Sequence, residues 1–158
     1  MRRTLTLLAL LGLLAVGCAG MNLAAAEVAL PARLNDACLE ASLRAEKDVV
    51  GFRALPQGGK PGWFFQLADP DLSYQEMPSF VASQAMVREG PIVQIEANFV
   101  TRRRNGPELR EAIGRREQEI LSRAVAACSD AEVEFGFARE CGKGEKNSIC
   151  VKGRLRAP

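Results

Sequence analysis

The sequence predicts an α+β domain in which an antiparallel sheet of about five to six strands carries two helices on one face. The main observation is the stretch Pro107–Cys128, where apolar residues recur three and four positions apart, as on one face of a helix. The neighbouring segments Pro91–Thr101 and Glu132–Arg139 alternate apolar and polar residues, which is typical of half-buried strands. A long helix that covers one face of a small sheet satisfies all three patterns.

Both predicted helices have recognisable ends. The first is opened by Pro31 or Asn35 and runs to about Lys47, with a thin stripe of small apolar residues on one side. The main helix follows the turn that contains Asn105 and has Pro107 in its first turn, where the missing N–H of proline costs nothing. We expect both helices to pack on one face of the sheet.

The predicted strands fall into hairpins. Ser79–Val87 is ambiguous, since its apolar spacing also fits helical turns, but we favour a strand because Arg88–Pro91 can close a hairpin onto the next segment. The predicted strands are Val49–Leu55, Trp63–Leu67, Ser79–Val87, Ile92–Thr101, a segment through Val133, Phe135 and Phe137, and a last one through Ile149, Val151 and Leu155.

The first twenty residues have the pattern of a secretory leader. Two arginines precede the apolar run Leu5–Val16, and small residues follow it. The segment Ala15-Val16-Gly17-Cys18 resembles the bacterial lipobox, and this resemblance covers the leader only. It implies that Cys18 receives a lipid and becomes the new N-terminus. Ala19, where an aspartate would favour inner-membrane retention, implies sorting to the outer membrane.

The leader sets the predicted domain boundaries. Residues 1–20 are the signal region, residues 21–30 a tether, and residues 31–158 a single α+β domain in the periplasm, anchored to the outer membrane through its lipid. The alternative is cleavage by ordinary signal peptidase after Ala26, which releases a soluble protein. The two possibilities differ in whether the protein stays on a membrane.

The cysteine count agrees with export. Of five cysteines, Cys18 belongs to the leader, and the other four form two disulfides in an oxidising compartment. The simplest of three connectivities joins Cys38 to Cys128 and Cys141 to Cys150. The second pair has mismatched strand parity and needs a bulge near the last turn.

Composition excludes several classes of function. The absence of histidine excludes Ser–His–Asp and Cys–His catalysis and histidine-ligated zinc. Lys and Arg number 21, two of them in the leader, against 19 Asp and Glu. Because this charge balance removes the electrostatic case for nucleic acid, we expect no nucleic-acid partner. We also expect no metal and no cofactor. The triplet Arg102–Arg104 is interpreted as a solvated strand end.

The best candidate contact site for a partner is the aromatic run Trp63-Phe64-Phe65 with Lys60 in the preceding loop. Three consecutive aromatic residues cannot all lie on the same face of a strand. Either Trp63 and Phe65 are core and Phe64 points to the other face, or the reverse. An exposed aromatic beside a glycine-rich loop would suit a protein partner.

Other charged groups offer weaker sites. Glu132 and Glu134 could act as paired acids, and the acids of the Asp69–Glu76 loop could hold a hard cation. A basic tail, formed by Lys152, Arg154 and Arg156, could meet an anionic surface. In each case a solvated protein surface is the simpler explanation. The favoured hypothesis is therefore a non-enzymatic envelope lipoprotein that binds, assembles or inhibits an envelope protein partner. The alternatives are a small carboxylate-dependent hydrolase and a carrier that holds an apolar ligand between the sheet and the long helix.

Overall fold

A computed structural model of the chain describes residues 20–55, 61–68, 77–101, 106–136, 139–140 and 149–156. These residues form the predicted α+β fold, with two helices on one face of one sheet. The helices are α1 (Asp36–Arg44) and α2 (Gly106–Ser129), and the strands are β1 (Gly20–Ala29), β2 (Val49–Ala54), β3 (Gly62–Leu67), β4 (Ser79–Val87), β5 (Gly90–Thr101), β6 (Val133–Phe135), β7 (Arg139–Glu140) and β8 (Ile149–Leu155).

The sheet is wider than predicted. Its strand order is β2-β3-β4-β5-β1-β8-β6, and the two-residue β7 pairs with β8 beside β6. All neighbours are antiparallel except β1 and β8, which run parallel. The prediction of a purely antiparallel sheet of five to six strands was therefore wrong in strand number and in one pairing, whereas the fold class and the ambiguous strand β4 are confirmed.

The largest correction concerns residues 21–30, which were predicted to be a tether. Residues 20–29 instead form β1, which pairs with β5 along its whole length and with β8 from Ala24 to Ala29. Burial alternates along β1, although most of its residues are small. Ala24, Ala26 and Val28 are almost fully buried, while Ala25 and Glu27 are half-buried. Alanine has a low strand propensity, but here it lets α2 pack closely against the sheet.

The core lies between the helices and one face of the sheet. Cross-strand pairing places Phe65, Phe80, Ala97 and Ala24 in one row across β3, β4, β5 and β1 on the face towards the helices. All four residues are at most 1% exposed. The rings of Phe65 and Phe80 stack with centroids 5.3 Å apart. Burial of this continuous apolar layer is the main force that holds the helices on the sheet.

Helix α1 is fixed by polar contacts at its first turn. The Asn35 side chain caps the helix by accepting a hydrogen bond from the backbone N–H of Cys38 at 3.1 Å. Gln84 of β4 is 2% exposed, and its amide donates to Asp36 at 2.8 Å and to the Leu34 carbonyl oxygen at 3.0 Å. The Gln84 carbonyl oxygen accepts from the Leu34 N–H at 2.7 Å. Every hydrogen-bonding group of this buried amide thus ties the start of α1 to the sheet.

The two helices run in opposite directions and are joined at both ends of α1. At its start, Cys38 is disulfide-bonded to Cys128 of α2, as predicted. Just beyond its end, the Glu46 carboxylate accepts two hydrogen bonds from the Arg123 guanidinium, at 2.8 and 2.9 Å. Cys150 is not a free thiol, but Cys141 lies outside the described residues, so its pairing with Cys150 stays a prediction.

The last strands pack closely through a glycine. Gly153 of β8 lies beside Val28 of β1 on one side and Phe135 of β6 on the other. A Cβ at this position would lie 2.8 Å from the Phe135 ring. Because Gly153 has no side chain, the Phe135 ring can occupy this position against the core. Phe137 and the turn after β7 lie outside the described residues.

We expect the Cys38–Cys128 disulfide to be the main covalent contribution to stability, because it closes a loop with a sequence separation of 90 residues. Replacing both cysteines by serine should lower the free energy of unfolding by about 3–4 kcal/mol. Urea denaturation of the exported protein measures this, with Ser42→Ala of α1 as a control. A double variant as stable as the parent would show that the helix contacts suffice without the bond.

Candidate functional site

The helix layer has a gap because its two helices differ in length. Helix α1 has 9 residues and α2 has 24, so α1 ends while α2 continues over the sheet. Beyond the end of α1, a pocket of about 340 Å³ opens between the first half of α2, the ends of β3 and β4, and the turn from α1 to β2. It is lined by Lys47, Asp48, Leu67, Ala68, Pro78, Phe80, Leu109, Ala112, Ile113 and Arg116.

The pocket is apolar in its body and charged at one side. Phe80 and Ile113 belong to the buried core, so they form its inner wall. The charged side is the turn after α1, where the Arg116 guanidinium approaches the Lys47 carbonyl oxygen at 3.5 Å. Arg116 also pairs with Glu46 at 3.5 Å and with Glu119 at 3.4 Å. This separation of apolar and charged surface is typical of sites for amphiphilic ligands.

The pocket lies at the end of the sheet where β1 begins. Pro78 of its lining directly precedes Ser79, which pairs with Asn98 of β5. Asn98 in turn pairs with Leu23, near the start of β1. The residue pair Gly20 and Thr101 closes the β1–β5 ladder at the same end of the sheet. Gly20, the first described residue, therefore lies at the same end of the sheet as the pocket.

Helix α2 carries a buried acid. Glu117 of α2 is 1% exposed, and its Oε1 atom has no hydrogen-bond partner. Burial raises the pKa of Glu117 to about 9, against a lowering by a backbone contact with Ala97 and with a small further rise from the charge of Glu96. At neutral pH Glu117 is therefore an uncharged carboxylic acid. Residue type alone predicts Glu117 on the polar side of this helix, with Arg110, Arg115 and Arg116, and its burial shows that this prediction is wrong.

The candidate partner site is divided between two faces of the sheet. Trp63 is 3% exposed and packs in the core, where its indole N–H donates to Glu40 at 3.2 Å. Phe64 lies on the opposite face, half-buried, under the Arg53 guanidinium at 4.4 Å from its ring centre. The structure thus selects the first of the two predicted arrangements, and Trp63 is not a contact residue. Lys60 lies outside the described residues.

The other charged candidates form ion pairs on the surface. Glu134 pairs with Arg154 at 3.3 Å and Glu132 with Arg156 at 3.1 Å, and all four side chains are exposed. Lys152 pairs with Glu27 of the neighbouring strand at 3.1 Å. Carboxylates that face solvent and are held by arginines do not form the desolvated pair that acid–base catalysis by two carboxylates requires. The basic tail and the paired acids therefore neutralise each other.

Several predicted features fall outside the described residues. They are Cys18 with the rest of the leader, Arg102–Arg104, and the acids Asp69, Asp71 and Glu76. Within the described residues, histidine, cysteine, aspartate and glutamate do not gather into a group that could hold a metal ion. Nor does any described helix combine the length and the hydropathy needed to cross a membrane.

Comparison with known proteins found no matching family model, no similar curated protein and no similar solved structure. Functional inference therefore depends on the pocket, the faces of the sheet and the position of the N-terminal strand.

We expect the stability of the fold to fall as pH rises, through Glu117. Between the ordinary pKa of 4.5 and about 9, the unfolded chain releases a proton that the folded chain keeps. The free energy of unfolding then decreases by up to about 1.4 kcal/mol per pH unit. Glu117→Gln keeps the shape and removes the ionisation, so it should stabilise the protein by up to about 3 kcal/mol at neutral pH.

Urea denaturation across the range from pH 4 to pH 9 measures this effect, and the gain should vanish at the acidic end. Glu111→Gln is the control, because Glu111 lies on the same helix with its side chain 67% exposed. Parallel pH profiles for the parent and Glu117→Gln would contradict the expectation.

Proposed function

We propose that the chain is an exported lipoprotein, lipidated at Cys18, whose domain acts without catalysis as a binding, assembly or inhibitor module for an envelope protein. Its place is the periplasm, on the outer membrane. The single observation that carries the proposal is that β1 begins at Gly20, two residues after Cys18, and lies inside the sheet.

This position bears on where the leader is cut. Cleavage after Ala26 would remove Gly20–Ala26, which is most of β1. It would leave much of β5 and β8 without the strand that pairs with both. Unpaired strand edges in the middle of a sheet cost hydrogen bonds and invite aggregation. Cleavage before Cys18 keeps the strand complete, so the fold supports the lipobox interpretation over the soluble alternative.

The face of the sheet opposite the two described helices supports a binding role. Described helices lie on the other face only, and a mixed row of Phe64, Val81, Glu96 and Ala25 crosses four strands on this side. All four residues are half-buried within the chain itself. Aromatic residues and arginine are enriched at protein interfaces, and this face carries both in Phe64 and Arg53. Phe64, stacked against Arg53, is the best anchor for a partner on this face.

A second candidate function, a carrier of an apolar ligand, is favoured by the pocket between α2 and the sheet. Its volume of about 340 Å³ is at the lower end of the range for ligand sites. The third hypothesis, a hydrolase that uses Glu132 and Glu134, gains no support from side chains that are exposed and paired with arginines.

We expect Cys18→Ser to abolish membrane attachment by lipid. In the parent, the mature protein should have the mass of residues 18–158 plus a diacylglyceryl group and an acyl chain, and it should incorporate labelled palmitate. The variant should incorporate none. The matched control is Ala37→Ser, which introduces a serine at an exposed position of α1 and leaves the lipobox and the disulfides intact. An unlabelled parent, or a parent that begins at Glu27, would overturn the lipoprotein proposal.

We expect a photo-crosslinking residue at Phe64 to give a discrete adduct with an envelope protein in intact cells. The same residue at Arg115, an exposed position of α2 on the helix side, should not give that adduct. Phe64→Ala should then reduce recovery of the crosslinked partner by about tenfold, as truncation of an interface anchor does. Equal adducts from both positions would indicate non-specific contact and count against this surface.

A further inference from the structure

We propose that the pocket beyond α1 binds a single-chain lipid with a zwitterionic head group, drawn from the membrane beside which the domain is held. The inference deepens the carrier function and rests on the proposed anchor only for the source of the ligand. It depends on three features: the apolar body of the pocket, the charges at its mouth, and its position in the fold.

The body of the pocket fits a hydrocarbon chain. Seven of its ten lining residues are apolar: Leu67, Ala68, Pro78, Phe80, Leu109, Ala112 and Ile113. An acyl chain in the pocket would contact these side chains and remove the apolar surface that they still expose from solvent. The volume of about 340 Å³ suits one chain of moderate length better than the two chains of a complete phospholipid.

The charges at the mouth balance. Arg116 is already held by Glu46 and Glu119. Lys47 and Asp48 are exposed neighbours at the mouth, and neither is in an ion pair with another described residue. A purely anionic head group would meet Asp48, and a purely cationic one would meet Lys47. A head group with both an anionic oxygen and an ammonium satisfies the two together.

The position of the pocket supplies the source of such a ligand. It opens at the end of the sheet where β1 begins, and β1 begins two residues after Cys18. So short a connection holds this end of the domain within reach of the membrane surface. A lipid could enter from the bilayer without crossing a long aqueous path.

Native mass spectrometry of the mature, full-length protein tests the proposal. The probe is lysophosphatidylethanolamine, compared with anionic lysophosphatidylglycerol and uncharged monoacylglycerol of the same chain. We expect one lysophosphatidylethanolamine per protein and affinities about fivefold lower for the other two. Equal binding of all three lipids, or several lipids per protein, would show detergent-like adsorption and overturn the proposal.

A blocking variant locates the lipid. Ala112 lies on the exposed rim of the pocket, so Ala112→Trp should fill the mouth and weaken binding at least about tenfold. Arg115→Trp adds the same ring at an exposed site of the same helix that does not line the pocket, and it should bind like the parent. Unfolding curves of both variants establish that each is folded. Unchanged binding by Ala112→Trp would refute this location.

Two charge variants test the head group. Asp48→Asn should remove the preference for lysophosphatidylethanolamine over lysophosphatidylglycerol, and asparagine tolerates the positive φ of 66° at this position. Lys47→Gln should weaken both phospholipids and leave monoacylglycerol unchanged, whereas Arg115→Gln, with the same change of charge, should alter none. An unchanged order of the three lipids in both variants would refute the assignment of the head group.

The lipid-binding inference and the anchor can fail separately. If Cys18 carries no lipid but the selective binding remains, the lipoprotein proposal fails and the pocket assignment stands. If Cys18 is lipidated but the binding is absent or unselective, the pocket assignment fails alone.

Discussion

The fold depends on one strand that is paired on both of its edges. Strand β1 joins the meander β2-β3-β4-β5 to the pair formed by β8 and β6, and without it these two parts share no strand edge. Strand β1 pairs with β5 over ten residues and with β8 in parallel. Its buried alanines lie under α2, so they also set how closely that helix approaches the sheet. The first described residues of the chain are therefore structural. Their pairing with the last strand joins distant parts of the sequence, the kind of contact that slows folding.

The sequence was sufficient for the elements with strong periodicity. Alternation and helical spacing identified α2 and β5 to within two residues. The disulfide between Cys38 and Cys128, predicted as part of the simplest of three connectivities, is also confirmed. It was insufficient for β1, because a segment with three consecutive alanines has neither strand propensity nor a clear apolar face. Only its position between two strands that lack partners makes it a strand, and that is tertiary information. The parallel pairing with β8 was missed for the same reason.

The sequence contains signals for some residues of the candidate sites but none for the pocket. Glu117 lies four residues after Ile113 and three before Ile120, so its spacing places it on the apolar face, and the signal was present in the sequence. Alternation also placed Trp63 and Phe64 on opposite faces, although it could not decide which faced the core. The pocket could not be foreseen, because it arises from the difference in length between two helices that the sequence bounded only approximately.

The two ends of the strands carry different features. The start of β1 and the pocket are at one end, whereas the hairpin between β4 and β5 is at the other, where Met86 and Val87 are 63% and 39% exposed. A lipid at Cys18 with almost no tether would restrict which end meets the bilayer, so the pocket would face lipid and the hairpin would face away. In that arrangement Phe64, on the face opposite the described helices, would be within reach of a protein on the same membrane surface. A long tether would remove this restriction, and that is why the assignment of residues 20–29 to a strand matters for function as well as for fold.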